Sequence, residues 1–369
     1  MLTANAIGGR ERTATMTQDQ AAPPPVPPSG EPSGARRSRT WLRALSIKRL
    51  SAVYLLVFFI VLFGIISPDT FLTVTTFRLV FRSGVITCVL ALAFLVPLTA
   101  GGYDLSIGAV MSLSFGIIVY LSIHTGIPIP VAAILALLLS AFCGLVSGFI
   151  VVRLHVNSFI ATLGVSQVLL GAVLLLTSNS QLVGNIPQSW SNLGNNNLLG
   201  IPIVVYFLFA LALVLYYVLE HTPVGRYLFA TGGNTDAARL AGVPTERVVW
   251  GSFIASGTIA GLAGVIFSMQ NGLFDSSIGP GYLFPAVAAV FFGASQLSQR
   301  PNVWGTLIAY FALAFGIQGL VLSASGASVW STPVFQGVSL IIAVALASRP
   351  ALRKLRATKA EATAISPVK

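Results

Sequence analysis

The sequence predicts an all-α membrane protein of about ten transmembrane helices, arranged as two inverted repeats with a short cytoplasmic helix between them. Three observations carry this. Of 369 residues, 55% are hydrophobic and only 8% charged, against about a quarter charged in soluble domains. Apolar runs repeatedly reach the roughly 18–20 residues that cross a bilayer, and the mean hydropathy is +0.86. The basic residues sit at the flanks of those runs, as membrane topology requires. Eight of the 21 Lys and Arg precede residue 50, six follow residue 348, and the seven between are Arg78, Arg82, Arg153, Arg226, Arg239, Arg247 and Arg300. The net charge of +11 therefore belongs to membrane flanks and not to a nucleic-acid surface.

Residues 1–45 read as a Pro-rich tail (AAPPPVPPSGEPSG) too polar to bury a core. No apolar stretch follows its early charges, so no signal peptide is expected, and a start at Met1 or Met16 stays open. Arg36, Arg37, Arg39, Arg43, Lys48 and Arg49 form a basic anchor that keeps this end in the cytoplasm. The transmembrane domain, 46–348, holds spans at about 50–67, 84–100, 104–123, 129–152, 158–178, 201–219, 250–271, 284–298, 303–323 and 332–348. Ten crossings return the basic tail, 349–369, to the cytoplasm. They also leave only Arg78 and Arg82 outside. The uncharged 179–200 segment then faces outward, as a lid, a partner surface or a plain connector.

Between the second and third spans the chain reads TAGGYDLSIGAVMS, residues 99–112. Asp104 is the one acidic residue of ten placed between spans with almost no connecting sequence. An ionisable group there is costly and usually faces a cavity or a partner. Gly101 and Gly102 allow the helix to break, and unwound backbone is tolerated only in protein or along a water-filled cavity. Asp104 and Ser106 fall where N-cap or first-turn residues of the next helix belong. Two roles stay open: a cap on that helix, or part of a polar translocation path.

A related passage, SSIGPGYLFPAVAAVFFGAS (276–295), again has glycines beside a tyrosine: Gly279, Gly281 and Tyr282. Paired interrupted segments point to an internal repeat with a site between its halves. Spans 2–5 and 7–10 form the two units, and their odd offset makes the orientations opposite. GLVSG (144–148) and GTIAG (257–261) are small-residue pairs suited to close helix packing. Cys88 and Cys143 lie in apolar segments, and His124, His155 and His221 at span ends, without metal spacing. No Gly-Lys pair exists, so ATP cannot be held through a P-loop. No nucleophile–base constellation marks an enzyme, and no cofactor is expected.

In the inward loop, 220–251, Asn234 or Thr235 is a good N-cap and Asp236 suits the first turn, while Gly242 and Pro244 end the helix. A helix over Thr235–Ala241 results, too short to be stable without a partner surface.

VGRYLFATGGNTDAARLAGV, TAGGYDLSIGAVMSL and NSFIATLG (157–164) together resemble the permease subunits of ABC importers for ribose, xylose and similar simple sugars. The likeness runs over about 50–348. It implies a bacterial cytoplasmic-membrane protein with both termini inside. It also implies a homo- or heterodimer of permeases, two cytoplasmic ABC ATPase subunits, and a periplasmic or lipid-anchored sugar-binding protein. The loop helix becomes the coupling helix that seats on the ATPase, with matching positions Gly233, Asn234, Ala237, Ala238, Arg239, Leu240 and Gly242. Where relatives carry acidic residues after the second glycine turn, this chain reads Gly281, Tyr282, Leu283, Phe284, Pro285, Ala286. The glycine-rich loop after the following span is also absent.

The expected function is monosaccharide import by alternating access, with hydrolysis on another subunit. A neutral sugar needs hydrogen bonds and aromatic faces, and few charges are embedded. Candidate pathway residues are Gly101, Gly102, Tyr103, Asp104, Ser106, Asn157, Ser158, Asn179 and Tyr282. The alternatives are an importer of another small polar ligand (a polyol, nucleoside or branched-chain amino acid), or an ion-coupled carrier using Asp104.

Overall fold

A computed structural model describes residues 47–296, 300–323, 330–342 and 345. The chain divides into residues 1–44 and 45–369. The expected tails, 1–45 and 349–369, lie outside the described residues.

The described residues of the second unit are helical almost throughout. Its elements are α1 (Ile47–Ile66), α2 (Pro68–Phe71), α3 (Val74–Thr99), α4 (Ile107–His124), α5 (Ile129–Arg153) and α6 (Ser158–Thr177). After β1 (Leu182–Val183), α7 (Gln188–Asn195), β2 (Asn197–Leu198) and β3 (Ile201–Pro202) come α8 (Ile203–His221), α9 (Pro223–Gly233) and α10 (Thr235–Leu240). Then follow α11 (Thr245–Gln270), β4 (Leu273–Phe274), α12 (Ile278–Gln296) and α13 (Val303–Ser323), and α14 (Ser331–Ile342). Among the described residues, seven helices are long and apolar enough to cross a membrane, and 52–66, 278–294 and 331–342 are shorter apolar helices. Together they match the ten expected spans one for one.

The second span differs from expectation. The apolar run places its start at 84, but α3 starts at Val74, because Thr73 caps it by accepting from the Thr76 amide at 3.2 Å. Arg78 and Arg82 therefore lie on the helix. Arg78 Nε donates to the Gly200 carbonyl at 2.9 Å, which lets the helix continue past the end of the apolar run. The 179–200 segment also holds more structure than a connector. Trp190 of α7 donates to Ser268 Oγ at 3.1 Å, and β1 pairs antiparallel with β4, Leu182 opposite Phe274.

The core lies along α3 and α11, whose buried faces include Ile86, Leu90, Phe94, Phe253 and Ile266. Outer helices keep exposed apolar residues such as Leu138, Ile160, Val168 and Leu175, the composition of lipid-facing surface.

The two small-residue motifs meet each other. A Cβ on Gly144 would meet the Phe253 carbonyl, and one on Gly257 would lie 2.5 Å from the Ser140 carbonyl and 2.9 Å from the Gly144 nitrogen. Helices α5 and α11 thus cross with their backbones in contact, the close approach that glycine permits. Gly257→Val is expected to force them apart, costing about 3 kcal/mol as an overpacked site. The check is the midpoint of thermal unfolding in detergent, with Thr258→Val as a neighbouring control.

Candidate functional site

The site begins where α3 ends. Its last turn closes as a Schellman motif: Gly102 N–H donates to Pro97 O at 2.9 Å and Gly101 N–H to Leu98 O at 3.1 Å. Gly101 takes φ +84°, a backbone conformation glycine adopts without a Cβ penalty. Gly102 is buried, and an added Cβ would lie 3.2 Å from the Phe253 ring.

Beyond the glycines the chain is irregular as far as Ile107, and α6 supplies its partners. The Tyr103 amide donates to Ser158 Oγ at 3.1 Å and the Leu105 amide to Thr162 Oγ1 at 3.0 Å. Asn157 caps α6 by accepting from the Phe159 amide at 3.0 Å. The motifs TAGGYDLSIG and NSFIATLG are therefore one structural unit.

Asp104 and Ser106 are buried, with 0% and 1% exposure. Asp104 Oδ1 accepts from the Ser106 amide at 3.0 Å and from Ser106 Oγ at 2.5 Å. Ser106 itself is the N-cap of α4, so Asp104 stands two residues before the cap and closes an Asx turn, not a side-chain N-cap. Among the described residues, the buried Asp104 Oδ2 and Ser256 Oγ of α11 have no hydrogen-bond partner other than each other.

Tyr103 carries the exposed side chain of the break, at 37%. Its ring centroid lies 6.4 Å from those of Phe94 and of Phe291, which gives the break an aromatic wall. Tyr282 stands apart, half-buried and edge-on to Phe267 at 6.0 Å. Asn179 is not brought to the break either. It lies just past the far end of α6, with φ 54°, about 30 Å along the helix from Ser158.

The break also touches the loop between α8 and α11. Gly101 and Gly232 are backbone to backbone: a Cβ on Gly101 would lie 3.4 Å from Gly232 Cα, and one on Gly232 would collide with the Thr99 carbonyl. Arg300 ties α8 to α9, its guanidinium 4.6 Å from the Phe229 ring centroid and its Nη2 2.7 Å from Glu220 Oε2. Helix α10 follows, Asn234 accepting from the Ala237 amide at 2.9 Å, while Gly242 at φ +84° ends it in a second Schellman motif. Ala238 is buried, and Leu240 projects with 91% exposure. Gly233, Asn234, Ala237, Arg239 and Gly242 are exposed.

Sequence reasoning missed Thr162, Ser256, Gly232 and the whole of α9. Pro223 and Thr222 carried a signal for α9, since Pro suits the first helical turn and Thr222 Oγ1 accepts from the Gly225 amide at 3.5 Å.

Over residues 76–345 the chain matches the family described as "Branched-chain amino acid transport system / permease component". The chain belongs to this permease family. Relatives of this permease include the ribose import permease protein RbsC of Escherichia coli strain K12, 30% identical over 83% of this chain and 95% of that protein. RbsC of Haemophilus influenzae is 28% identical over 78% and 90%. The autoinducer 2 import system permease protein LsrD of Salmonella typhimurium strain LT2 is 28% identical over 79% and 88%. No solved structure matches. The permease is thus a membrane-spanning transport subunit, and its relatives serve ribose and autoinducer 2 import.

At the other end of α11, Asp275 Oδ1 accepts from Ser277 Oγ at 2.6 Å and the Ser277 amide at 2.8 Å, while Oδ2 accepts from Gln181 Nε2 at 2.9 Å. These bonds, in that order, hold its carboxyl below the usual range. A lowered folded-state pKa stabilises the fold above the unfolded value, and the stability is lost as pH falls through the folded value. Asp275→Asn is therefore expected to lower the thermal midpoint at neutral pH. The gap from wild type should close in acid, below the ordinary carboxylate range.

Proposed function

We propose that this permease is the membrane subunit of an ATP-driven importer of a monosaccharide of the ribose type. It catalyses no covalent reaction itself; separate cytoplasmic ATPases supply the energy and a sugar-binding protein delivers the ligand. Loop 222–244 faces the cytoplasm, and α10 is the element that seats on the ATPase. The observation that carries the reading is the contact of Gly232 with Thr99 and Gly101. Movement of α9 and α10 by an ATPase is passed directly to the broken segment between α3 and α4, with no flexible connector between them.

In this reading the permease alternates access by shifting the break. Tyr103, with Phe94 and Phe291 behind it, offers an aromatic face to a sugar ring. Asp104, Ser106 and Ser158 hold the backbone beside it in one shape. Gly101 and Gly102 supply the turn, and Asn157 fixes the start of the helix that clasps it. Asn179 and Tyr282 serve the outward half of the path.

The test is ATPase activity of the reconstituted complex with a panel of binding proteins loaded with pentoses, hexoses, polyols or branched-chain amino acids. Stimulation by one pentose-loaded protein, at least about fivefold over the unloaded form, supports the reading. Stimulation by an amino acid instead would replace it. Tyr103→Ala is expected to lower sugar uptake about tenfold, on the scale of one lost aromatic contact, while leaving basal ATPase activity within about twofold.

A further inference from the structure

The Asp275 turn repeats the Asp104 turn. Residues 101–108 read GGYDLSIG and residues 272–279 read GLFDSSIG, with Gly, Asp, Ser, Ile and Gly identical and an aromatic residue before each aspartate. The geometry repeats as well. Each aspartate Oδ1 accepts from the amide and hydroxyl of the serine two residues on, at 3.0 and 2.5 Å in one turn and 2.8 and 2.6 Å in the other. Each turn opens a helix, α4 or α12. The two helices meet at the last residue of the repeat: a Cβ on Gly108 would lie 2.7 Å from the Gly279 carbonyl, and one on Gly279 would collide with the Gly108 carbonyl. The Gly279 amide donates to Ser112 Oγ at 3.1 Å. This register pairs Asp104 with Asp275, where the sequence had paired Tyr103 with Tyr282.

Their surroundings are opposite. Asp104 and Ser106 are sealed at 0% and 1% exposure. Asp275 is partly exposed and Ser277 exposed. The inner turn is clasped by α6 through Ser158 and Thr162, and the outer turn is held by β1, by the Gln181 side-chain amide and by Phe274 against Phe115.

We infer that Asp275, Ser277 and Gln181 form a second gate of the permease, equivalent to the Asp104 turn and working against it about the Gly108–Gly279 crossing. Opening one turn seals the other. Inverted repeats held in different conformations supply both access states of one chain by exchanging those conformations. The Gln181–Asp275 bond belongs to the arrangement with the outer turn open, so removing it shifts the population toward the exchanged arrangement. This rests on the transport reading above.

The test uses the full chain in proteoliposomes with Cys88 and Cys143 replaced by Ala, carrying Ser106→Cys or Ser277→Cys, and measures labelling rates with a small methanethiosulfonate. At rest the thiol at 277 should react at least about tenfold faster than that at 106. Gln181→Ala should slow labelling at 277 and speed it at 106, each several-fold, with or without ATPase. With ATPase bound, ATP and vanadate should also move the two rates in opposite directions. Rates that move together, or a thiol at 106 that never reacts in any condition, would overturn the inference. Opposed shifts with Gln181→Ala but none with nucleotide would uphold the second gate and sink the ATP-driven reading.

Discussion

Asp104→Leu is expected to cost the fold about 3 kcal/mol. Leucine keeps the branching but is larger and apolar, so the Ser106 amide and hydroxyl would lose the oxygen they share at 3.0 and 2.5 Å. Both lie where water cannot replace it, since Ser106 is 1% exposed, and a buried unpaired donor costs about 1–3 kcal/mol. Asp104→Asn keeps Oδ1 as acceptor and should fold normally, within about 1 kcal/mol by thermal unfolding in detergent. Its effect on transport is then separable from its effect on the turn. The amide nitrogen takes the place of Oδ2 beside Ser256, and uptake should stay within about twofold of wild type with ATPase association intact. An Asn variant that folds and binds the ATPase but does not transport would give the carboxylate charge a role of its own.

The second large effect is expected at the loop. Replacing 234–242 with a Gly-Ser linker removes both the Asn234 cap and the Gly242 stop, together with the exposed Leu240. Co-purification of an ATPase should drop below about one-tenth of wild type. Arg239→Glu reverses one exposed charge and should weaken association about tenfold, with a dependence on salt. Gly232→Val acts differently. Its side chain would push α9 off the Thr99 carbonyl without touching α10. The ATPase should remain bound while ATP-dependent uptake is lost. Association and uptake lost together would place Gly232 in the docking surface.

Much of this was legible in residue types. Runs of apolar residues located every span, because the bilayer fixes their length. Asn234 and Gly242 bounded α10 to within a residue, because caps are local chemistry. The pair Gly101–Gly102 located the break for the same reason.

What escaped depends on partners distant in sequence. The extension of α3 to Val74 rests on Arg78 reaching Gly200, and the clasp on the break rests on Thr162, 57 residues away. Gly232 looks like one more loop glycine until Thr99 is set against it. The repeat was written in the sequence as D-x-S-I-G twice. Tyr282 drew the register eight residues too far because an aromatic beside glycines is the more visible pattern. Asn179 ranked with the pathway on polarity alone, and the length of α6 separates it from Tyr103.

The most direct measurement is uptake of labelled ribose into proteoliposomes holding the permease, its co-purified ATPase and its binding protein. Uptake that requires internal ATP and the binding protein, and that is lost in Gly232→Val, is the predicted result. Ribose uptake driven by a proton or sodium gradient without the ATPase would contradict it.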